Sequence, residues 1–234
     1  MQPLPELRVG GLSRISSVDW PGELVATVFC QGCPWDCAYC HNPHLLPFVA
    51  GAGAEELPWH HVTEFLEGRA RLLDGVVFSG GEPLAQPALV GAMREVRGLG
   101  LRVALHTNGA TPSRLVEVLP LVDWVGFDAK APQSLYDAVT RAAGSGARAL
   151  ESLRLLVASE VAYEVRTTVH PDLLSEGDLL ELAGELQEAG VDRWVLQAFR
   201  TEGCRDGGLV PASAPSAQTL ARLASAFPGV ILRG

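Results

Sequence analysis

Six apolar runs recur along this chain, each followed by a polar loop and then by a stretch with helical spacing. That alternation constrains the fold more than any other feature. Residues 24–29 (LVATVF), 75–79 (GVVFS), 101–106 (LRVALH), 122–127 (VDWVGF), 163–169 (YEVRTTV) and 193–199 (RWVLQAF) read as strands. Their near-continuous apolarity is what a strand covered on both faces needs. Residues 229–232 (GVIL) read as a seventh. Between them, residues 58–73 space Val62, Phe65, Leu66, Leu72 and Leu73 as a helix would, and residues 87–99 do the same with Leu89, Val90, Met93 and Val96. Ser175 reads as the N-cap of a helix carrying Leu179, Leu182, Ala183 and Leu186; Ser216 opens a last helix with Leu220, Leu223 and Phe227 on one face. Residues 144–146 (GSG) divide a longer helical region into two. Strands alternating with helices predict parallel βαβ units with right-handed crossovers. The units are too few for a full eight-unit barrel. They fit a partial barrel or an open doubly wound sheet, and both gather ligands at the C-terminal strand ends. A chain of 234 residues, 47% hydrophobic, suits one domain, with residues 1–22 as an N-terminal extension and 23–234 as the α/β unit.

The strand ends bear that rule out in sequence. After the successive runs come a cysteine cluster, SGGEP (residues 79–83), HTNG (106–109), DAK (128–130), VHP (169–171) and FR (199–200). Together they describe one rim facing one site. The net charge of −9 disfavours a nucleic-acid partner, which needs a basic footprint. No basic-apolar leader and no apolar run of about 20 residues is present, so the expectation is a soluble cytoplasmic protein without a membrane partner. In that compartment clustered cysteines more often bind metal or do chemistry than form disulfides.

Four of the five cysteines fall in CQGCPWDCAYC, as Cys30-x2-Cys33-x3-Cys37-x2-Cys40. Zinc ribbons separate two C-x2-C pairs by about 15–20 residues, so a four-thiolate zinc site would be strained here. The bacterial ferredoxin order C-x2-C-x2-C-x3-C is not matched. Cys33, Cys37 and Cys40 instead suit a loop wrapping one corner of a [4Fe–4S] cube, leaving one iron open. A fourth thiolate from Cys30 would saturate that cluster and leave only electron transfer. At the end of a buried strand, Cys30 reads as a small packing residue. Cys204, in TEGCRDGG, reads as a free thiol on a loop.

The loop CPWDCAYCHN, with Tyr39 before its last cysteine and SGGEP at the next strand end, resembles the radical S-adenosylmethionine (SAM) enzymes. TNG, DAK and the strand pattern extend the resemblance over most of the chain. It is close to the glycyl-radical-enzyme activases. The stretch SRISSVDWPGELVATVFCQGCPWDCAYCHNP is most similar to the branch serving anaerobic ribonucleoside-triphosphate reductase. The resemblance implies a single radical SAM domain folded as a partial (β/α)6 TIM barrel. It implies a [4Fe–4S] cluster on Cys33, Cys37 and Cys40, with SAM chelating the open iron. Gly80, Gly81 and Glu82 would meet its methionine part. Tyr39 and His41 would lie near the adenine, Asp128 and Lys130 would pair with the ammonium and carboxylate, and Arg200 would contact the nucleoside. Reductive cleavage, fed by a flavodoxin or ferredoxin, would give a 5′-deoxyadenosyl radical that takes a Cα hydrogen from a glycine of the partner enzyme. No side chain need act as acid or base.

Two departures stand out. Some activases carry an acidic residue before TNG that helps hold a cation; here it is His106, which reads as a rim histidine with a backbone partner. Residues 41–79 contain no cysteine, so a second cluster of the kind some activases insert is not expected. A mid-strand Arg166 needs a partner if it faces inward. His170 reads as structural, and His60 and His61, adjacent on a helix, as residues that do not share a face. Two other readings remain open: a radical SAM enzyme acting on a small molecule, of the 7-carboxy-7-deazaguanine synthase type, and a non-enzymatic electron-transfer protein using all four cysteines.

Overall fold

The computed structural model describes residues 6–49, 51, 56–210 and 214–233. Its strands are β1 (Val9–Ser16), β2 (Val25–Cys30), β3 (Gly75–Gly80), β4 (Arg102–Thr107), β5 (Trp124–Asp128), β6 (Ala162–Val169), β7 (Trp194–Ala198) and β8 (Val230–Arg233). They form one sheet in chain order, with β2 to β8 parallel. The crossovers carry α1 (Trp59–Glu67), α2 (Leu89–Gly98), α3 (Pro112–Val118), α4 (Tyr136–Thr140) with α5 (Ser145–Val157), α6 (Glu176–Glu188) and α7 (Ala217–Ala226). Six strand–helix units and a closing strand make a partial barrel. Edge strands β1 and β8 do not pair with each other, so the curve stays open.

Expected strands and observed strands agree within about two residues, the ordinary uncertainty of element ends. Ser175 caps α6 in a capping box: its Oγ accepts from Asp178 N–H at 3.2 Å, and Asp178 Oδ2 accepts from Ser175 N–H at 2.7 Å. Ser216 caps α7, and Gly144 separates α4 from α5. The helix expected over 58–73 stops at Glu67, because Gly68 forms its C-cap and the chain turns.

The stretch read as an N-terminal extension carries a strand that the sequence reading did not place. Residues 1–5 lie outside the described residues, but β1 pairs antiparallel with β2, Val9 opposite Cys30. The following turn then re-enters the barrel. Pro21 and Gly22 (φ +84°) close it, with Glu23 N–H donating to Trp20 O at 3.1 Å. Trp20 stacks on Trp124, ring centroids 6.3 Å apart, and packs with Val25, Val77 and Ala104. This cluster plugs the lower interior. Residues on the other strand faces, such as Val28, Phe78, Leu105 and Val165, join the larger core beneath the helices. No helix among the described residues is long and apolar enough to cross a membrane.

Candidate active site

Above the tryptophan plug lies a cavity of about 850 Å³. Cys33, Cys37 and Cys40 line it; Cys30 does not, being fully buried in the core. The loop bearing the three thiols is tied down along its length. Gln31 Nε2 donates to Pro47 O (2.6 Å) and His44 O (3.2 Å), while Gly32 and Cys33 N–H groups donate to Leu45 O and Leu46 O at 2.8 and 3.0 Å. Asp36 N–H donates to Thr140 O at 2.9 Å, joining the loop to α4. Burial raises the Cys33 thiol to about 12, with the Glu82 carboxylate adding to it, so positive charge is what would convert this site to thiolates.

The glycines after β3 serve the protein before any ligand. A Cβ on Gly80 (φ +108°) would sit 2.4 Å from Cys30 N, and one on Gly81 would sit 2.3 Å from Gly32 O. Only glycine lets the two loops cross at that distance. Glu82, buried and expected to face a ligand ammonium, has both carboxylate oxygens engaged by its own chain: Leu84 N–H (2.9 Å) and Thr107 Oγ1 (2.7 Å) on Oε1, Asn108 N–H (2.8 Å) on Oε2. It ties the β3 loop to the β4 loop. Burial pushes its pKa up to about 7 against the pull of those donors.

The interior wall is charged. Asp128 Oδ1 accepts from Arg166 Nε at 3.0 Å, and its Oδ2 from Lys130 Nζ at 3.1 Å. Burial alone would raise the Asp128 carboxyl; Arg166 and Lys130 outweigh it and hold the group well below the usual carboxylate range. Arg166 thus has its partner across the β5–β6 register, where it sits opposite Asp128. Gly126 leaves room for the guanidinium: a Cβ there would lie 2.6 Å from Arg166 Nη1. Lys130 Nζ also lies 5.6 Å from the centroid of buried Tyr39. His106 does have a backbone partner: its Nε2–H donates to Asp19 O at 2.7 Å, and Nδ1 faces Ser79 Oγ at 3.3 Å. Burial, with repulsion from Arg166 second, pushes it down to about 4, so the ring is neutral.

The far wall comes from the segment after β7. His41 Nε2–H donates to the carbonyl of Arg200 at 2.7 Å, and Arg205 N–H to that of Cys40 at 2.8 Å. Arg200 lines the cavity with its side chain exposed. Cys204 is half-buried on this segment and without a disulfide. His170 is structural: Nε2–H donates to Val210 O at 2.9 Å, and Nδ1 accepts from Asp172 N–H at 3.2 Å. His60 and His61, exposed on α1, correct the expectation that they do not share a face, their ring centroids lying 4.2 Å from each other.

All eleven residues expected at the site therefore line one cavity. Reading the sequence missed Asp19, Trp35, Ser79, Asn108, Gln197 and Arg233, which line it too. The signal for Asn108 was present in TNG. Gln197 could have been found by two-residue alternation along β7.

The residues suit an iron–sulfur cube. Three thiols open on one space, and among the described residues no three His, Cys, Asp or Glu side chains converge on a point for a single ion. Trp35 Nε1 and Tyr39 Oη, on the same loop and cavity wall, are buried and have no hydrogen-bond partner among the described residues. Residues 27–183 match the model of the radical SAM superfamily. The chain belongs to the radical SAM superfamily. As a radical SAM enzyme it uses a [4Fe–4S] cluster and SAM. It is 30% identical to the pyruvate formate-lyase-activating enzyme of Clostridium pasteurianum over 84% of this chain and 83% of that one. It is 29% identical to a Methanocaldococcus jannaschii protein named as a glycyl-radical enzyme activating enzyme, over 85% and 82%. In fold it is similar to Streptococcus suis SuiB, solved bound to its precursor peptide SuiA: TM-score 0.64, 13% identity, 90% of this chain covered. It spans about half of that longer chain, 48%.

Proposed function

We propose that this radical SAM enzyme is a glycyl-radical-enzyme activase, and that its partner is anaerobic ribonucleoside-triphosphate reductase. The observation that carries the reading is the cavity on which Cys33, Cys37 and Cys40 open while Cys30 stays in the core. Relatives named as activases, matched over more than four fifths of the chain, support the reaction class. The stretch over residues 13–43 supports the reductase branch, and the absence of cysteine from residues 41–79 supports a minimal activase with one cluster.

Cys33, Cys37 and Cys40 would hold the cluster. When bound, cluster and SAM together supply one-electron cleavage of a sulfonium and the hydrogen-atom abstraction that follows. A flavodoxin or ferredoxin would supply the electron. The chain supplies position. Gly80 and Gly81 bring backbone to the cavity wall without side chains in the way. Lys130 and Arg166 give the wall positive charge for a carboxylate, and Asp128, pinned between them, offers a carboxylate to an ammonium. Tyr39, His41 and Arg200 frame the side where a nucleoside would lie. The Trp20–Trp124 plug closes the floor to bulk water. Orientation of this kind is the protein's main contribution when a cofactor carries the chemistry.

The test is to mix reduced, cluster-loaded protein with SAM and the reductase under anaerobic conditions. The expected result is a glycyl-radical EPR doublet on the reductase. SAM cleavage without any doublet on an active reductase overturns the partner. Turnover of a small molecule alone would then favour the 7-carboxy-7-deazaguanine synthase type.

A further inference from the structure

Asn108 sits between the Glu82 carboxyl and the sulfur of Cys33, which would be a thiolate when the site is loaded. Its backbone N–H donates to Glu82 Oε2 at 2.8 Å, and its side-chain Nδ2 donates to Cys33 Sγ at 3.8 Å. The orientation of the amide follows from its surroundings. Asn108 Oδ1 accepts from Ala110 N–H at 3.0 Å, which leaves Nδ2 to face the sulfur. The residue is 5% exposed, and Glu82 and Thr107 brace it, Thr107 Oγ1 also accepting from Gly109 N–H at 3.0 Å. Among the described residues no other side chain donates to Cys33, Cys37 or Cys40; Trp35 and Asn42 reach Cys33 and Cys40 with backbone N–H groups.

We infer that Asn108 is a positioning residue for the Cys33 sulfur, setting the reduction potential of the cluster through an N–H···S hydrogen bond. The inference rests on Cys33 being a cluster ligand, not on the choice of partner. Hydrogen bonds to cluster sulfurs are among the factors that set potential, because they stabilise the electron-rich, reduced form. Groups that orient ligands in this way tune a metal site without touching the metal. Here the donor residue is held in place by Glu82, whose Oε2 accepts from its backbone N–H.

The test uses the full chain, reconstituted anaerobically to about four irons. Asn108→Leu removes the donor at similar volume; Asn108→Asp replaces it with a carboxylate. The midpoint potential, read by EPR-monitored titration, is expected to fall in Asn108→Leu and further in Asn108→Asp. An unchanged potential in either loaded variant overturns the inference. A second measurement needs no change at Asn108. Asn42 and Asn108 are the only asparagines of the chain, so Asn42→Gln protein labelled with ¹⁵N at asparagine side-chain amides only reports Asn108 alone. A ¹⁵N coupling to the reduced cluster is expected, and its absence in loaded protein overturns the inference. A shifted potential with no glycyl radical on the reductase would defeat the partner reading and leave this one standing.

Discussion

The two walls of the cavity are built differently. The wall from β2, β3 and β4 is locked: two glycines cross the cysteine loop at distances that exclude a Cβ, and one buried carboxylate binds three donors from two neighbouring loops. The wall after β7 meets the same loop through two backbone acceptors and the Arg205–Asp36 ion pair, with both of its side chains well exposed. Ligand-bearing loops need fixed geometry, since a misplacement of about 1 Å can cost about a hundredfold in rate. A wall that a large substrate must pass needs no such lock.

Substitutions can break that contrast. Cys37→Ala should lose the cluster and all SAM cleavage, whereas Cys30→Ala should keep both; iron content and 5′-deoxyadenosine yield decide, and loss of iron in Cys30→Ala would contradict the three-ligand assignment. Gly81→Ala should come next. Its Cβ meets backbone that cannot swing away, so a loss of roughly 1–3 kcal/mol should appear in denaturant melts together with poor iron loading. Gly203 (φ +77°), on the opposite wall, would bring a Cβ to 2.8 Å from His41 O. Gly203→Ala should cost about 1 kcal/mol from the left-handed backbone while iron still loads.

A pH series on cofactor-free protein sharpens the same picture. His106 titrates near 6.5 when unfolded and near 4 when folded. The unfolded chain therefore binds the extra proton between those values. Stability from this group is complete above about pH 6.5 and is lost as pH falls towards 4, by at most about 1.4 kcal/mol per pH unit. His106→Asn should flatten that slope; an equal slope in both proteins would place the acid sensitivity elsewhere. The smallest effect belongs to Arg205→Ala. It removes an exposed pair worth about 0–1 kcal/mol and leaves the Arg205–Cys40 backbone bond, so melting and iron content should barely move.

Much of this was legible in the sequence. The strands were readable because a strand covered on both faces must be apolar throughout, and Ser175, Ser216 and the 144–146 break carry their structural meaning locally. β1 was missed because its run, VGGLSRIS, has two glycines and an exposed polar edge, so neither continuous apolarity nor alternation marks it. Trp20 was missed because a turn sequence says where the chain reverses, not what cavity the ring then fills. At the site, Asp128 and Arg166 were each visible as charged residues near strand ends, but their pairing depends on a register between strands 38 positions apart.

By itself, then, the sequence determined the alternation of strands and helices, the rim on which polar loops gather, and a cysteine spacing that suits three ligands. These are local properties, set by period, capping and the reach of a short loop. The tertiary structure alone decided that Cys30 turns into the core, that Glu82 spends its carboxylate on neighbouring loops, and that Asn108 points its amide at Cys33. Partners of that kind are chosen by strand register and by how closely two loops can cross, and no single stretch of chain contains that information.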